Sequence, residues 1–162
     1  MINDVALVIE QLDHREPAIA AELGRVMRRA YVLEAEWLNL AAGDFPPAQR
    51  SDAAIAAASG PFFGLRASGK LVAVLELEET TEGSGPELWI ASLCVDPAFH
   101  RQGHGRRLVK HAIQVAGGRP LRVSTGAANA AAMALYESQG FRVNERRTLP
   151  DGLVLVRLVR ER

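Results

Sequence analysis

The chain has 162 residues, 48% of them hydrophobic and 23% charged; it is of single-domain size and rich enough in apolar residues for a core, which excludes an intrinsically disordered polypeptide. The longest aliphatic run, Leu71 to Leu75, is far short of the roughly 18 residues a membrane span needs, no basic-then-apolar leader precedes Asp4, and a single cysteine, Cys94, excludes an internal disulfide framework, so a reduced, cytoplasmic setting without membrane contact is expected. Net charge is zero, but residues 1–81 hold 7 Lys+Arg against 12 Asp+Glu (−5) and residues 82–162 hold 12 against 7 (+5).

Val5–Gln11 reads as a first strand. From Pro17, the residues Ile19, Leu23, Val26, Met27 and Ala30 recur at the helical period, with arginines on the wet side and a bend or restart expected before Trp37. Gly43–Pro47 interrupts, and Ser51–Ala58 reads as an alanine-rich helix ending at Gly60-Pro61. Phe62–Ala67 and Leu71–Glu78 are strands joined by a tight Ser68-Gly69 turn. On the second of them Leu71, Ala73, Leu75 and Leu77 form an apolar face, while Glu76 and Glu78 share the other face with Val72 and Val74.

Thr80–Pro86 is a polar, glycine-rich loop. Leu88–Val95, uncharged throughout, has the character of a central strand covered on both faces, and Asp96-Pro97 stops it. Gly103–Ala116 is helical and closes at Gly117-Gly118; Leu121–Thr125 is a short strand. Asn129 caps an alanine-rich helix that Gly140 ends. Phe141–Leu149 and Leu153–Arg160 form a last hairpin around Pro150-Asp151-Gly152, whose edge offers pairing to a second copy and so a homodimer. The order predicts one mixed α/β domain over residues 1–162, with antiparallel hairpins and one or two parallel crossovers.

From Pro97 to Tyr136 the chain contains no acid but carries Arg101, Arg106, Arg107, Lys110, Arg119, Arg122 and three of the four histidines, a candidate surface for a polyanion. Within it His100-Arg101-Gln102-Gly103-His104-Gly105-Arg106 opens a helix directly after a buried strand. The first amides of a helix have no intrahelical partner and sit at the positive end of its dipole. Glycines spaced by one residue let those amides approach a ligand, which makes a phosphate site. A Rossmann fingerprint needs a third glycine where Leu108 stands, and a Walker loop needs a Gly-Lys-Ser/Thr ending that is absent. Nucleic acid is disfavoured because no aromatics interleave with the basic residues. His100, His104 and His111 lack a neighbouring carboxylate or thiol, so no metal site is expected and they read as polar groups near a phosphate or facing water.

Leu93-Cys94-Val95-Asp96-Pro97 followed by His100-Arg101-Gln102-Gly103-His104-Gly105 resembles the cofactor motif of the GNAT superfamily of N-acetyltransferases, Gln/Arg-x-x-Gly-x-Gly/Ala after a strand; His100 departs from the usual first residue. The family's second motif, an Asn opening a helix that ends Leu-Tyr-x-x-x-Gly-Phe, is matched by Asn129 and Leu135-Tyr136-Glu137-Ser138-Gln139-Gly140-Phe141. The resemblance implies a GNAT-like mixed sheet of about seven strands with flanking helices, the fourth and fifth strands splayed to hold a thioester. It implies acetyl-CoA as co-substrate and an amine as acceptor. The amides of Arg101, Gln102, Gly103, His104, Gly105 and Arg106 would hold the pyrophosphate, and backbone groups of Leu93, Cys94 and Val95 would pair with the pantetheine arm. Asn129 would orient the pantetheine or the helix start.

By the same resemblance Tyr136 is the general acid that protonates the departing thiolate during direct attack by the amine. Cys94, inside an apolar strand, reads as a small core residue rather than a nucleophile. Many relatives carry a carboxylate on the fourth strand, where Ala91 and Ser92 stand here; Glu76 is the candidate base, with Glu78 or a water chain as alternatives, while Glu34 and Glu36, in the acidic first half near Trp37, are candidates to line the acceptor pocket. The charge division between the halves predicts a basic or neutral amine acceptor, primary and borne on a small molecule or a peptide, rather than an acidic one.

Overall fold

A computed structural model describes residues 7–81 and 85–162 and places in them one seven-stranded sheet. The strands are Ile9–Leu12 (β1), Phe62–Ala67 (β2), Lys70–Thr80 (β3), Glu87–Val95 (β4), Leu121–Gly126 (β5), Arg142–Thr148 (β6) and Val154–Arg160 (β7), ordered β1-β2-β3-β4-β5-β7-β6. The helices are Pro17–Trp37 (α1), Asp52–Ala56 (α2), His104–Ala116 (α3) and Ala130–Ser138 (α4). The start of the strand expected at Val5 and the middle of the 80–86 loop lie outside the described residues.

All pairings are antiparallel except β4 with β5. That parallel ladder runs from Leu88↔Leu121 to Ile90↔Val123 and then stops, although both strands continue, so β4 and β5 diverge from Ala91 onward. A bulge at the same point, where Leu77 pairs with Ile90 and Glu76 with Ser92, leaves Ala91 without a partner in β3 and increases the local twist.

Two apolar layers cover the sheet. Leu23, Val26, Met27 and Ile55 from α1 and α2 pack on Phe62, Leu71, Val74 and Cys94 of one face. Leu108, Val109 and Ala112 of α3 pack with Tyr136 and Phe141 on Leu75, Leu77, Ile90, Val123 and Leu158 of the other. A bulge at Val72, between Leu65↔Ala73 and Arg66↔Leu71, turns Val72 to the α3 side and Leu71 to the α1 side, exchanging the faces that simple alternation assigned them. Both faces of β3 are buried from Leu71 to Leu77. On β4 the bulge switches which residues are buried under which layer, Leu88 and Ile90 under α3 before it and Cys94 under α1 after it, with Ser92 also buried; Ala91 is exposed at the divergence, so full coverage of both faces fails there.

α1 runs unbroken to Trp37, with Pro17 in its first turn where no amide bond is lost. The second helix is shorter than expected: Ser51 caps it by accepting from the Ala54 amide, and it ends at Ala56. Two short 3₁₀ turns, Ala42–Asp44 and Pro46–Gln49, fill the segment between α1 and α2. The tight hairpin forms as expected, with Ser68 (φ 50°) and Gly69 (φ 80°) both left-handed.

Candidate active site

The divergence of β4 from β5 opens a cavity of about 490 Å³ lined by Leu93, Cys94 and Val95 of β4, Tyr31, Glu34 and Trp37 of α1, Arg101 and Gly105 of the α3 turn, and Asn129, Leu135 and Tyr136 of α4. A smaller space of about 70 Å³ continues between the strands, bounded by Tyr31, Glu34, Ala91, Ser124, Asn129 and Tyr136. Strand register determines which backbone groups reach it. The Asp96 amide donates to the Val72 carbonyl at 2.8 Å, so residues 94 and 96 bond toward β3, while Leu93 and Val95 turn their amides and carbonyls toward the gap. The Val95 carbonyl is 3.0 Å from His100 Nε2, and Leu93 keeps both groups open. Of the three β4 residues expected to present backbone, Cys94 therefore contributes a wall rather than a hydrogen bond.

α3 starts with Gly103 as its N-cap at φ 80°, a left-handed conformation that a β-carbon would strain. Gly105 lies in the first turn with Leu135 so close that a β-carbon there would come within 3.3 Å of it. The amides of residues 101–106 donate to no acceptor among the described residues. Arg101, Gln102, Gly103 and Arg106 are exposed around this cluster, whereas the His104 side chain turns inward. Its two ring nitrogens have no partner, and burial, with Arg107 nearby, lowers its basicity. His111 is half-buried with its ring edge-on to Phe63, and its basicity is also lowered by burial. His104 faces neither water nor the amide cluster, and His111 lies on Phe63 away from that cluster; His100 does reach the cavity, 6.1 Å from the Trp37 ring.

Tyr136 is 4% exposed, packs on Phe141 and borders both spaces; burial first, then the charges of Glu34 and Cys94, push its phenol well above the usual range. Asn129 caps α4 by accepting from the Ala132 amide at 3.1 Å and borders both spaces as well. Burial pushes the Cys94 thiol up to about 12, which keeps it protonated and poorly nucleophilic.

Glu76 is held elsewhere. It is buried behind β4, and Arg50 grips both carboxylate oxygens at 2.7 and 2.9 Å while the Ser92 hydroxyl donates to one at 2.8 Å. It borders neither space, and Arg50 and Ser92 occupy most of its acceptor positions, so it is engaged away from a ligand there. Glu34 is the carboxylate at the gap: burial raises its proton affinity, with the Asn129 amide pulling the other way. Tyr31 and Trp37 belong to the same wall. The spacing Tyr31, Glu34, Trp37, each three residues on, was the available signal for these residues: one polar and two aromatic side chains on a single helical face.

The charge halves of the sequence do not map onto the two ends of the cavity. Several acids of the first half are taken up by arginines, Glu10 and Glu22 on Arg66, Asp52 on Arg28 and Glu76 on Arg50, while Glu34 lines the cavity. No described helix is long and apolar enough to cross a membrane, and among the described residues no three His, Cys, Asp or Glu side chains gather as metal ligands.

Residues 27–141 match the model of the acetyltransferase (GNAT) family. The chain is 33% identical over 135 residues to the N-alpha-acetyltransferase RimI of Mycobacterium tuberculosis, covering 82% of this chain and 84% of the relative. It is 32% identical over 149 residues to the UPF0157 protein YqkA of Bacillus subtilis, which covers 91% of this chain but spans only 42% of that protein. Among solved structures, the ribosomal-protein-S18-alanine N-acetyltransferase of Escherichia coli superposes with a TM-score of 0.71 and 27% identity, covering 95% of this chain and 92% of that one. With the diverging strands and the open amides of α3 in place, these matches assign the chain to the acetyltransferase (GNAT) family, for which acetyl-CoA is the co-substrate.

Proposed function

We propose that this protein transfers an acetyl group from acetyl-CoA to a primary amine, with the free N-terminus of a peptide as the favoured acceptor, by direct attack in a ternary complex. One observation carries the reading: open helix amides, a free strand edge, a buried phenol and a buried carboxylate converge where β4 and β5 part.

The residues fit the donor. The amides of residues 101–106, at the positive end of α3, suit a pyrophosphate, and the open Leu93 backbone suits the amides of a pantetheine arm. Bound there, acetyl-CoA supplies an acyl thioester. Glu34 attracts the incoming ammonium and takes its proton, since only the free amine attacks. Tyr136, kept protonated by burial, donates toward the sulfur as it leaves. Cys94, kept as a thiol, carries no acyl group, which supports direct attack over a covalent relay. The peptide acceptor draws support from the two relatives named for N-terminal or ribosomal-protein alanine acetylation.

Free-thiol release from acetyl-CoA against a panel of peptides and small amines tests this. Wild type should turn over at least one peptide. Tyr136→Phe should lower kcat by about 10²-fold or more with acetyl-CoA binding retained. Binding without turnover for every amine offered would contradict catalysis, and an unchanged kcat in the variant would remove Tyr136 from the proton path.

A further inference from the structure

We infer that the open sheet face formed by β5, β7 and β6 beside the gap docks an acidic segment of the acceptor, so that the protein selects peptides bearing carboxylates at about their third and fifth residues. This rests on the peptide-acetylating reading above and adds a substrate class to it.

Cross-strand register builds the surface. Ser124 borders the narrow space at the gap, pairs with Arg157, and Arg157 pairs with Glu145. On one side the row Gly126–Leu155–Arg147 runs parallel to it; on the other, Arg122–Val159–Arg142. Paired residues point to one face, and it is the α1 face, because Leu38 at the end of α1 stands directly over Gly126. α1 ends at Trp37 and covers β3 and β4; beyond them Ser124, Arg157, Glu145, Arg142 and Arg147 are exposed.

Four arginines therefore share this face with two glutamates. Arg122 lies 2.9 Å from Glu87, and Arg157 lies 3.1 Å from Glu145 with its guanidinium stacked over Trp89. Arg142 and Arg147 have no ion-pair partner among the described residues. The surplus is positive, and it begins beside Ser124, which lines the narrow space together with Glu34.

The spacing sets the position of the complementary charge. Strands lie about 4.8 Å apart and an extended chain advances about 3.3 Å per residue. A peptide with its first residue in the middle of the gap, about half a strand spacing before β5, and running across the strands thus lays its third residue, about 6.6 Å on, over β7 at about 7 Å and its fifth, about 13 Å on, over β6 at about 12 Å. These two side chains share one face, within reach of Arg157 and of Arg147 and Arg142, which flank Glu145. Its ammonium meets Glu34 while its carboxylates meet the arginines. The arrangement reverses the expectation of a non-acidic acceptor, since the arginines of the second half of the chain lie beside the acceptor entrance as well as around α3. A nucleic acid is the poorer occupant: the face's tryptophan is already covered by Arg157, and glutamates interrupt the positive rows.

The test pairs two peptides of identical N-terminal residue and length, one with Asp at positions three and five, the other with Asn. Anisotropy of labelled peptide and thiol release from acetyl-CoA are measured on wild type and on Arg142→Gln/Arg147→Gln. The expected result is about tenfold preference for the Asp peptide in Kd and kcat/KM at low salt, fading with added salt and reduced toward unity in the double variant. Tighter Asp-peptide binding without thiol release would keep the docking surface while removing the transferase reading. Equal handling of the two peptides, a preference that survives the double substitution, or displacement of the Asp peptide by a lower concentration of single-stranded RNA would overturn the inference, whatever the turnover.

Discussion

Glu34 and Tyr136 face each other across the point where β4 and β5 part, and burial raises the proton affinity of both. For a base that must be ionised, a raised pKa keeps it protonated to higher pH, so the acid limb of kcat/KM should stand above the ordinary glutamate range. Glu34→Gln should lower kcat/KM by about 10²-fold and remove that limb; a pH–rate profile of the variant that keeps the wild-type limb would assign the base elsewhere. The place of Tyr136 at the gap was legible in the sequence because it stands inside a continuous motif. Glu76 was misplaced because strand alternation says which side a residue is on but not what grips it, and Arg50, 26 residues away, follows a proline-rich stretch with no helical or strand pattern. The sequence offers Glu34 only as lining of the acceptor pocket; its place at the gap depends on where α1 crosses the sheet, which periodicity does not encode.

At the scale of elements, α1 is fastened to the α3 turn through Asp96. This carboxylate, at the end of β4, accepts from the Ala98 amide at 3.0 Å and pairs with Arg25 at 3.4 Å and Arg29 at 3.2 Å. Burial alone would raise its pKa, but the Ala98 amide and Arg29 more than offset that and hold it below the usual range. A depressed folded pKa stabilises above the unfolded value and loses that contribution as pH falls through the folded one. Asp96→Asn should therefore cost roughly 1–3 kcal/mol at neutral pH, with the gap to wild type closing below about pH 4; urea titrations at both pH values check this, and a gap that widens in acid would contradict it. Elements with strong periodicity or turn chemistry were legible: α1, α3 and the Ser68-Gly69 hairpin. The bulges at Val72 and Ala91 were not, since an extra residue leaves no mark in composition yet reassigns faces.

For the whole molecule, the seven-stranded mixed sheet followed from the family resemblance and the order of elements, and the structure bears it out, with β4 and β5 parting after three pairs. The −5 and +5 halves of the sequence were real as arithmetic but did not become two ends of the site, because folding pairs several of the early acids with arginines, leaves Glu34 at the gap and lays late arginines along the open sheet face. Charge counts along a chain give no direction in space until register is known.

Hydrogen–deuterium exchange of residues 101–106, with and without acetyl-CoA, bears most directly on donor binding at the start of α3. These amides donate to nothing in the protein among the described residues, so they should exchange within seconds in the free enzyme and be slowed at least tenfold by saturating acetyl-CoA. Exchange that is unaltered there while acetyl-CoA is demonstrably bound would place the donor elsewhere and contradict the account.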